Sequence, residues 1–251
     1  MIFDSHLHIV DPRFPLVPNQ GYLPAPFPAA DYLATVRHWG IGGGAVVSGS
    51  FQAFDQAYLV DALSVLGPTF VGVTQLPVDC PDAQIVDLNQ AGVRAVRFNL
   101  QRGGSAGLDE IETLGRRVFD VAGWHSEFYL RSADLPDLEP VLLALPKVSI
   151  DHLGLTAAGF DVLLRLVEVG AHVKATGFSR CDLDVTDALR RISAASPAAL
   201  MFGTDLPGTR SPRPFRPSDI ELLRAALGRD DAAKALCDNA VRLYRPTAPI
   251  S

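Results

Sequence analysis

This chain has little cysteine and no excess of positive charge. Its 251 residues include only 3 cysteines, which are far apart and form no Cys-x-x-Cys motif: Cys80, Cys181 and Cys237. Neither a disulfide framework nor a zinc knuckle is therefore expected. Lys and Arg number 22 against 28 Asp and Glu, which gives a net charge of −6. This acidic balance argues against nucleic acid or an anionic membrane as a partner.

Long apolar runs are also absent. No stretch reaches the roughly 18 apolar residues of a membrane span, and the first residues lack the basic and apolar regions of a signal peptide. We therefore expect a cytoplasmic protein, either a monomer or a homo-oligomer, with no membrane partner. No Gly-x-Gly-x-x-Gly follows the first strand-like run, which argues against a doubly wound dinucleotide-binding sheet.

Short apolar runs alternate with amphipathic segments along the chain. The strand-like runs lie at residues 2–10, 45–47, 70–74, 93–98, 127–131, 148–151, 172–175 and 199–202. Helical spacing of apolar residues marks the segments between them, as at residues 108–121. Parallel pairing through right-handed crossovers follows from this alternation. Eight such units predict an α/β protein, a single-domain (β/α)8 TIM barrel spanning residues 1–251.

Two local patterns add detail to this prediction. Residues 11–28 hold six prolines, and since proline removes backbone donors, they predict an irregular loop rather than a helix. The length of this loop indicates an active-site lid or a substrate-binding segment. Ser218 and Glu221 are spaced as a capping box, and a last helix is expected from about Asp231 to Tyr244.

The carboxyl ends of the strands meet at one mouth of such a barrel, and chemistry takes place there. His6 and His8 point the same way, because side chains alternate along a strand. The residues expected at this mouth are His6, His8, Ser50, Arg97, Asn99, Arg102, Tyr129, Arg131, Asp151, His152, Lys174, Arg180 and Asp205. The other histidines lie in a helix or near strand starts and are predicted to be structural: His38, His125 and His172.

Several of these residues allow two interpretations. Arg97 either binds substrate or forms an ion pair with Asp4 or Asp151. Lys174 is more simply explained as a buried charge paired with an acid than as a catalytic group. Asp205 is either a general base or a turn residue after its strand. Ser50 has no adjacent acid–base pair in the sequence, so a nucleophilic serine is disfavoured.

Four motifs, in order, resemble the amidohydrolase superfamily in its amidohydrolase 2 branch. They are Asp4-Ser5-His6-Leu7-His8, Asp151-His152-Leu153-Gly154, Gly203-Thr204-Asp205-Leu206-Pro207 and Asn239-Ala240-Val241-Arg242-Leu243-Tyr244. Within this branch the chain is similar to the pyrone-dicarboxylate lactonases and related lactonases. That likeness is carried by residues 11–15, 22–24, 46–50 and 96–100.

The resemblance implies a hydrolase that opens a small, carboxylate-bearing lactone. Asp205 would activate water as the general base, and His6, His8 and His152 would polarise the lactone carbonyl. The residues assigned to substrate binding are Tyr22, Ser50, Arg97, Arg102, Tyr129 and Arg180. Leu155 replaces an arginine of the family pattern, and Gly208 replaces a polar residue. These departures leave the exact substrate open.

No metal is expected to be required. The fifth strand offers Tyr129 and Arg131 where metal-binding relatives supply a histidine, and a nearby arginine repels a dication. The alternative is a Zn²⁺- or Mn²⁺-dependent amidohydrolase or decarboxylase, with His6, His8, His152 and Asp205 as ligands. A barrel that binds an anionic metabolite without catalysis is a third interpretation. A buried carboxylate at Asp205 argues against it, because anion binding gains nothing from a negative charge nearby.

Overall fold

The computed structural model describes residues 1–250 and contains one sheet of eight parallel strands. The strands are β1 (Ile2–Leu7), β2 (Ile41–Val47), β3 (Phe70–Thr74), β4 (Val93–Asn99), β5 (His125–Tyr129), β6 (Val148–Ile150), β7 (His172–Ala175) and β8 (Leu200–Phe202). Each strand pairs with the next one along the chain. A parallel bridge between Leu7 and Leu206 joins the last strand to the first. The predicted single-domain (β/α)8 TIM barrel is confirmed.

Within residues 1–250, nine α-helices connect the strands or follow the last one. They are α1 (Ala29–Val36), α2 (Ala57–Leu66), α3 (Asp82–Gln90), α4 (Ile111–Ala122), α5 (Leu135–Ala144), α6 (Phe160–Glu168), α7 (Val185–Ala195), α8 (Pro217–Ala233) and α9 (Asn239–Tyr244). Their apolar faces and the outer strand faces form the larger core cluster. No helix within residues 1–250 is long and apolar enough to cross a membrane.

A second core cluster fills the barrel near the strand starts. Phe3, Val47, Val71 and Met201 meet side chains of α9 there. The rings of Phe3 and Tyr244 stack with their centroids 5.6 Å apart. Helix α9 therefore covers the end of the barrel opposite the mouth. Residues at this end of a TIM barrel are expected to stabilise the fold rather than to take part in chemistry.

Some element boundaries differ from the sequence expectation. The fifth strand occupies residues 125–129, so Glu127 lies at its centre. Arg131 lies beyond the strand and pairs with Asp134 at the surface. Helix α8 begins at Pro217, and the Asp219 carboxylate accepts the Arg216 amide proton at 3.1 Å. The expected Ser218–Glu221 capping box is therefore wrong, since proline takes its favoured place at the first helical position.

The proline-rich segment, residues 11–28, crosses the mouth of the barrel. The Val17 amide donates to the Phe51 carbonyl at 2.8 Å, and Val10 forms a bridge with Phe27. Its tip is a two-residue hairpin turn between Asn19 and Tyr22, which exchange both backbone hydrogen bonds. The segment is thus ordered but irregular, as its prolines predict.

Candidate active site

His6 and His8 point into the barrel from the end of β1. Their rings meet edge to face with centroids 5.0 Å apart. His8 Nδ1 lies 2.7 Å from the Val47 carbonyl oxygen. Because a carbonyl only accepts, His8 carries a proton on Nδ1, and its Nε2 faces Asp205.

His152 and Asp205 follow β6 and β8 and complete this group. The rings of His6 and His152 are 4.9 Å apart. Asp205 Oδ1 lies 3.9 Å from His6 Nε2 and 3.6 Å from His8 Nε2. His152 has a φ of 52° and Asp205 a φ of 60°, a region that non-glycine residues rarely adopt. Such backbone strain clusters at functional sites, because it persists only where the surrounding structure enforces it.

Arg180 is the direct partner of Asp205. Its Nε donates to Asp205 Oδ2 at 2.7 Å, and its Nη2 donates to the Thr209 carbonyl at 2.6 Å. Burial raises the pKa of Asp205, but the Arg180 charge and the neighbouring histidines, His8 first among them, together hold that pKa well below its usual range. The carboxylate is therefore fixed in its ionised form. Its second oxygen, Oδ1, has no hydrogen-bond partner among residues 1–250.

A buried ion pair lies deeper in the barrel, below the histidines. Arg97 Nη2 donates to Asp151 Oδ2 at 2.8 Å, and Nη1 donates to the Ser48 carbonyl at 2.8 Å. Of the two interpretations of Arg97, the structure shows the ion pair with Asp151. Burial would raise the pKa of Asp151, but the contact with His6 and the charges of Lys174 and Arg97 hold it well below its usual value.

Lys174 and Glu127 form a second buried pair beside the first. Lys174 Nζ lies 2.6 Å from Glu127 Oε2, which also accepts the Tyr244 hydroxyl at 3.0 Å. Burial raises the pKa of Glu127 to about 7, although the Lys174 charge opposes the rise. Lys174 is thus a buried charge paired with an acid, as the sequence indicated. Glu127 and Tyr244 were missed as members of this network.

Lys174 also reaches His6. Its Nζ lies 3.2 Å from His6 Nδ1, and Asp151 Oδ1 lies 3.4 Å from the same nitrogen. An ammonium group can only donate, so the shorter of these two contacts favours Nδ1 as the acceptor and the His6 proton on Nε2. Burial lowers the pKa of His6 well below its usual value. His6 therefore directs a neutral N–H donor towards Asp205 Oδ1.

Asp4 ties β1 to β8 outside this network. Its carboxylate accepts the Thr204 amide at 2.8 Å, the Thr204 hydroxyl at 2.6 Å and the Tyr32 hydroxyl at 3.0 Å. Burial raises its pKa to about 6, against these hydrogen bonds. Asp4 thus fixes the strand that carries His6 and His8, and it is not the partner of Arg97.

A pocket opens above Asp205. Its lining includes His8, Ser50, Arg97, Asn99, Arg102, Tyr129, His152, Arg180, Asp205 and Arg210. Of the other predicted site residues, His6 lies behind Asp205. Tyr22 lies at the rim, where the Arg210 guanidinium stacks on its ring at 4.5 Å. Arg210 was missed by the sequence analysis, because a residue in a loop after β8 gives no periodic signal.

The histidines and carboxylates of this site offer donor atoms that could hold a divalent cation. His6 Nε2, His8 Nε2 and Asp205 Oδ1 lie within 4.8 Å of one another, and so do one ligand atom each of His6, Asp151 and His152. Two nitrogens and a carboxylate oxygen form a set that fits Zn²⁺ or Mn²⁺. Binding would require the His6 proton to move to Nδ1, facing Asp151, and Lys174 to turn away. The expectation that no metal is needed stays a prediction.

The fold and site define a TIM-barrel protein with histidines and an aspartate at its mouth, and sequence comparison specifies the family. The amidohydrolase family profile (Amidohydro_2) matches residues 3–245. The chain belongs to this family.

Individual relatives agree with this assignment. A 2-pyrone-4,6-dicarboxylate hydrolase of Comamonas testosteroni is 28% identical, over 97% of this chain and 90% of the relative. A 4-sulfomuconolactone hydrolase of Rhizobium radiobacter is 30% identical, over 96% of this chain and 89% of the relative. Among solved structures, a Pseudomonas putida protein described as a candidate 2-pyrone-4,6-dicarboxylic acid hydrolase superposes with a TM-score of 0.82. It is 27% identical, with 97% of each chain covered.

Proposed function

We propose that this protein hydrolyses the C–O ester bond of a small lactone that carries a carboxylate, with Asp205 as the general base. The observation that carries this proposal is the free oxygen Asp205 Oδ1, placed between His6 and His8 at the floor of an arginine-lined pocket. The two curated relatives support it, since the names of both describe hydrolases of anionic compounds.

Substrate binding would begin at Arg180. Its guanidinium faces the pocket, and arginine holds carboxylates through a fork of two N–H donors. A substrate carboxylate would compete with Asp205 for this fork. As the Arg180 charge turns to the substrate, the pKa of Asp205 rises and its carboxylate becomes a stronger base. The basicity of Asp205 would therefore depend on the presence of substrate.

The chemical step would place water between Asp205 Oδ1 and the lactone carbonyl carbon. Asp205 removes a proton as the water oxygen bonds to that carbon. In its neutral form, His8 accepts the second water proton in a hydrogen bond at Nε2. The His6 Nε2–H donates to the developing oxyanion, and His152 lies beside it. Collapse of the tetrahedral intermediate breaks the ring C–O bond, and the leaving oxygen takes the proton from Asp205 to give the open-chain acid.

Asp205→Asn tests the base directly. The amide keeps size and hydrogen bonding but cannot take a proton, so kcat should fall by roughly 100-fold or more. Asp134→Asn, in an exposed pair with Arg131, is the matched control and should keep full activity. Thermal unfolding of each variant establishes that it is folded. Near wild-type kcat in folded Asp205→Asn would remove Asp205 from the role.

A metal-dependent amidohydrolase or decarboxylase on the same barrel is the second candidate. It is favoured by the three converging donor atoms of His6, His8 and Asp205. A bound Zn²⁺ or Mn²⁺ there would polarise a carbonyl and lower the pKa of water. We propose the metal-free site, because the Lys174 contact favours a proton on His6 Nε2, the nitrogen that a metal would need as a ligand.

A further inference from the structure

The C-terminal motif at residues 239–244 has no part in the hydrolysis described so far. It forms helix α9, which covers the end of the barrel opposite the mouth. Its last residue, Tyr244, is fully buried, and the Tyr244 hydroxyl donates to Glu127 Oε2 at 3.0 Å. The motif therefore contacts the buried charge network that lies below the histidines.

A chain of short contacts joins Tyr244 to the candidate general base. Glu127 Oε2 accepts the Tyr244 hydroxyl and lies 2.6 Å from Lys174 Nζ. Lys174 Nζ lies 3.2 Å from His6 Nδ1, and the other nitrogen of this ring, Nε2, lies 3.9 Å from Asp205 Oδ1. The ammonium group also lies over the Tyr244 ring, 5.7 Å from its centroid, a distance at which a cation is attracted to an aromatic face. Tyr244 thus contacts both members of the ion pair that faces His6.

His6 Nδ1 has two competing neighbours. Lys174 can only donate, so its contact favours the His6 proton on Nε2. Asp151 Oδ1, 3.4 Å from the same nitrogen, is an acceptor and favours the proton on Nδ1. In that second tautomer Nε2 would be an acceptor, and the developing oxyanion would lose its donor. The position of Lys174 therefore decides which tautomer the site holds.

The position of Lys174 depends on Glu127, whose carboxylate has an alternative partner. Glu127 Oε1 lies 3.8 Å from Arg97 Nε, and neither atom has a hydrogen-bond partner in the part of the chain that the structure describes, residues 1–250. A turn of the carboxylate towards Arg97 would join these two atoms and draw Oε2 away from Lys174. The Tyr244 hydroxyl opposes this turn, because a buried hydrogen bond to a charged group is costly to lose.

We propose that Tyr244 is a positioning residue for the hydrolysis: through Glu127 and Lys174 it keeps the His6 proton on Nε2, where that proton stabilises the oxyanion. This inference rests on the proposed function, and it gives helix α9 a part in catalysis from the opposite end of the barrel. Tyr244 is fully buried and lies outside the pocket lining. It therefore acts only through the chain of contacts and does not touch the substrate.

Two-dimensional ¹H–¹⁵N spectra of the histidine rings test this chain in the intact, ligand-free protein, because they distinguish a proton on Nδ1 from one on Nε2. The sequence contains 6 histidines, and His6→Gln identifies the His6 signal by its loss. The wild type should hold the His6 proton on Nε2. Tyr244→Phe keeps the ring but removes the hydroxyl, so a large part of the population should move to Nδ1. In Lys174→Met the proton should move to Nδ1 completely.

Kinetics with the lactone substrate provide a second readout. A donor that acts only in the transition state changes kcat rather than KM. Lys174→Met loses the His6 donor, so kcat should fall by about 100-fold, and Tyr244→Phe loses it in part, so kcat should fall by roughly 3- to 10-fold. KM should stay within about 2-fold of the wild type in both variants.

Tyr32→Phe is the matched control. The Tyr32 hydroxyl is equally buried and donates to a carboxylate oxygen, Asp4 Oδ2, at the same distance of 3.0 Å. Its loss should lower the melting temperature by a similar amount and leave the His6 tautomer and kcat unchanged. A His6 proton on Nδ1 in the wild type, an unmoved proton in folded Tyr244→Phe or Lys174→Met, or an equal shift in Tyr32→Phe would overturn the role of Tyr244. Because the spectra need no substrate, failure of the proposed function would appear separately, as absent turnover with the tautomer shift intact.

Discussion

Lys174 is the residue whose replacement tests the buried charge network most sharply. Lys174→Met keeps the length of the side chain but leaves Glu127 without its partner at 2.6 Å. Removing one member of a buried ion pair costs about 3–5 kcal/mol, because the remaining charge is uncompensated. For a chain of this length each kcal/mol lowers the melting temperature by about 2–4 °C. A loss of roughly 10 °C is therefore expected at alkaline pH, where Glu127 would carry its charge without a partner.

The loss should depend on pH, with a sign fixed by Glu127. Its pKa is already raised to about 7 by burial, and removal of Lys174 raises it further. In the folded variant Glu127 keeps its proton up to this raised pKa, whereas in the unfolded chain it releases the proton above the ordinary pKa of a glutamate. The free energy of unfolding therefore falls as pH rises between these two pKa values. Lys174→Met should be close to the wild type near pH 5 and furthest below it near pH 8.5. In Lys174→Met/Glu127→Gln the added pH dependence should disappear.

Thermal unfolding of the wild type and the three variants between pH 5 and pH 9 provides the measurement. The third variant, Glu127→Gln alone, completes a double-mutant cycle. A loss in Lys174→Met that is the same at every pH would refute the reasoning, since it would show that Glu127 is not the group left uncompensated.

Three other predictions concern the pocket. Arg180→Met should raise the pKa of Asp205, so the acid limb of the kcat/KM profile should move to higher pH. Arg165→Met, which removes a surface pair with Glu139, is the control and should leave the profile unchanged. An unmoved acid limb in Arg180→Met would contradict the role of Asp205 as the general base. Gly177→Ala should lower kcat/KM by roughly 10-fold, because its Cβ would lie 2.6 Å from His152 Nδ1. Gly40→Ala is the control and should keep activity, because Gly40 has a φ of 70° against 58° for Gly177 and an added Cβ there has nothing within 4 Å. Equal losses in the two variants would exclude a specific effect on His152. Exhaustive chelation should leave turnover intact, and elemental analysis of the same sample measures its metal content. Stoichiometric Zn²⁺ or Mn²⁺ whose removal abolishes activity would favour the metal-dependent alternative.

The barrel could be predicted from the sequence because its elements are locally encoded. Apolar runs such as Phe70–Thr74 are short and bounded by turn residues, and the structure places that strand at the predicted positions. The fifth strand was placed two residues late, since His125, Ser126 and Glu127 look like a polar turn. They belong to the strand because the inside of this barrel is polar at that level, where Glu127 meets Lys174.

The charged partners could be predicted less well. The expected group of His6, His8, His152 and Asp205 does converge, because strand ends alone place it. Which carboxylate pairs with which cation depends on distances across the barrel. Arg180 was expected to face substrate alone and instead also holds Asp205. Arg210 and Gln20 meet between segments 190 residues apart, a contact that no local pattern encodes.

The most direct test of the central claim is ring opening of a panel of anionic lactones by the wild-type protein in water enriched in ¹⁸O, followed by mass spectrometry and NMR. The panel holds lactones with one and with two carboxylates, and the methyl ester of each as a neutral control. The proposed function predicts an open-chain acid with one ¹⁸O in the new carboxylate, from the anionic lactones and far more slowly from their esters. Intact lactones throughout the panel, or loss of CO₂ without incorporation of ¹⁸O, would contradict it.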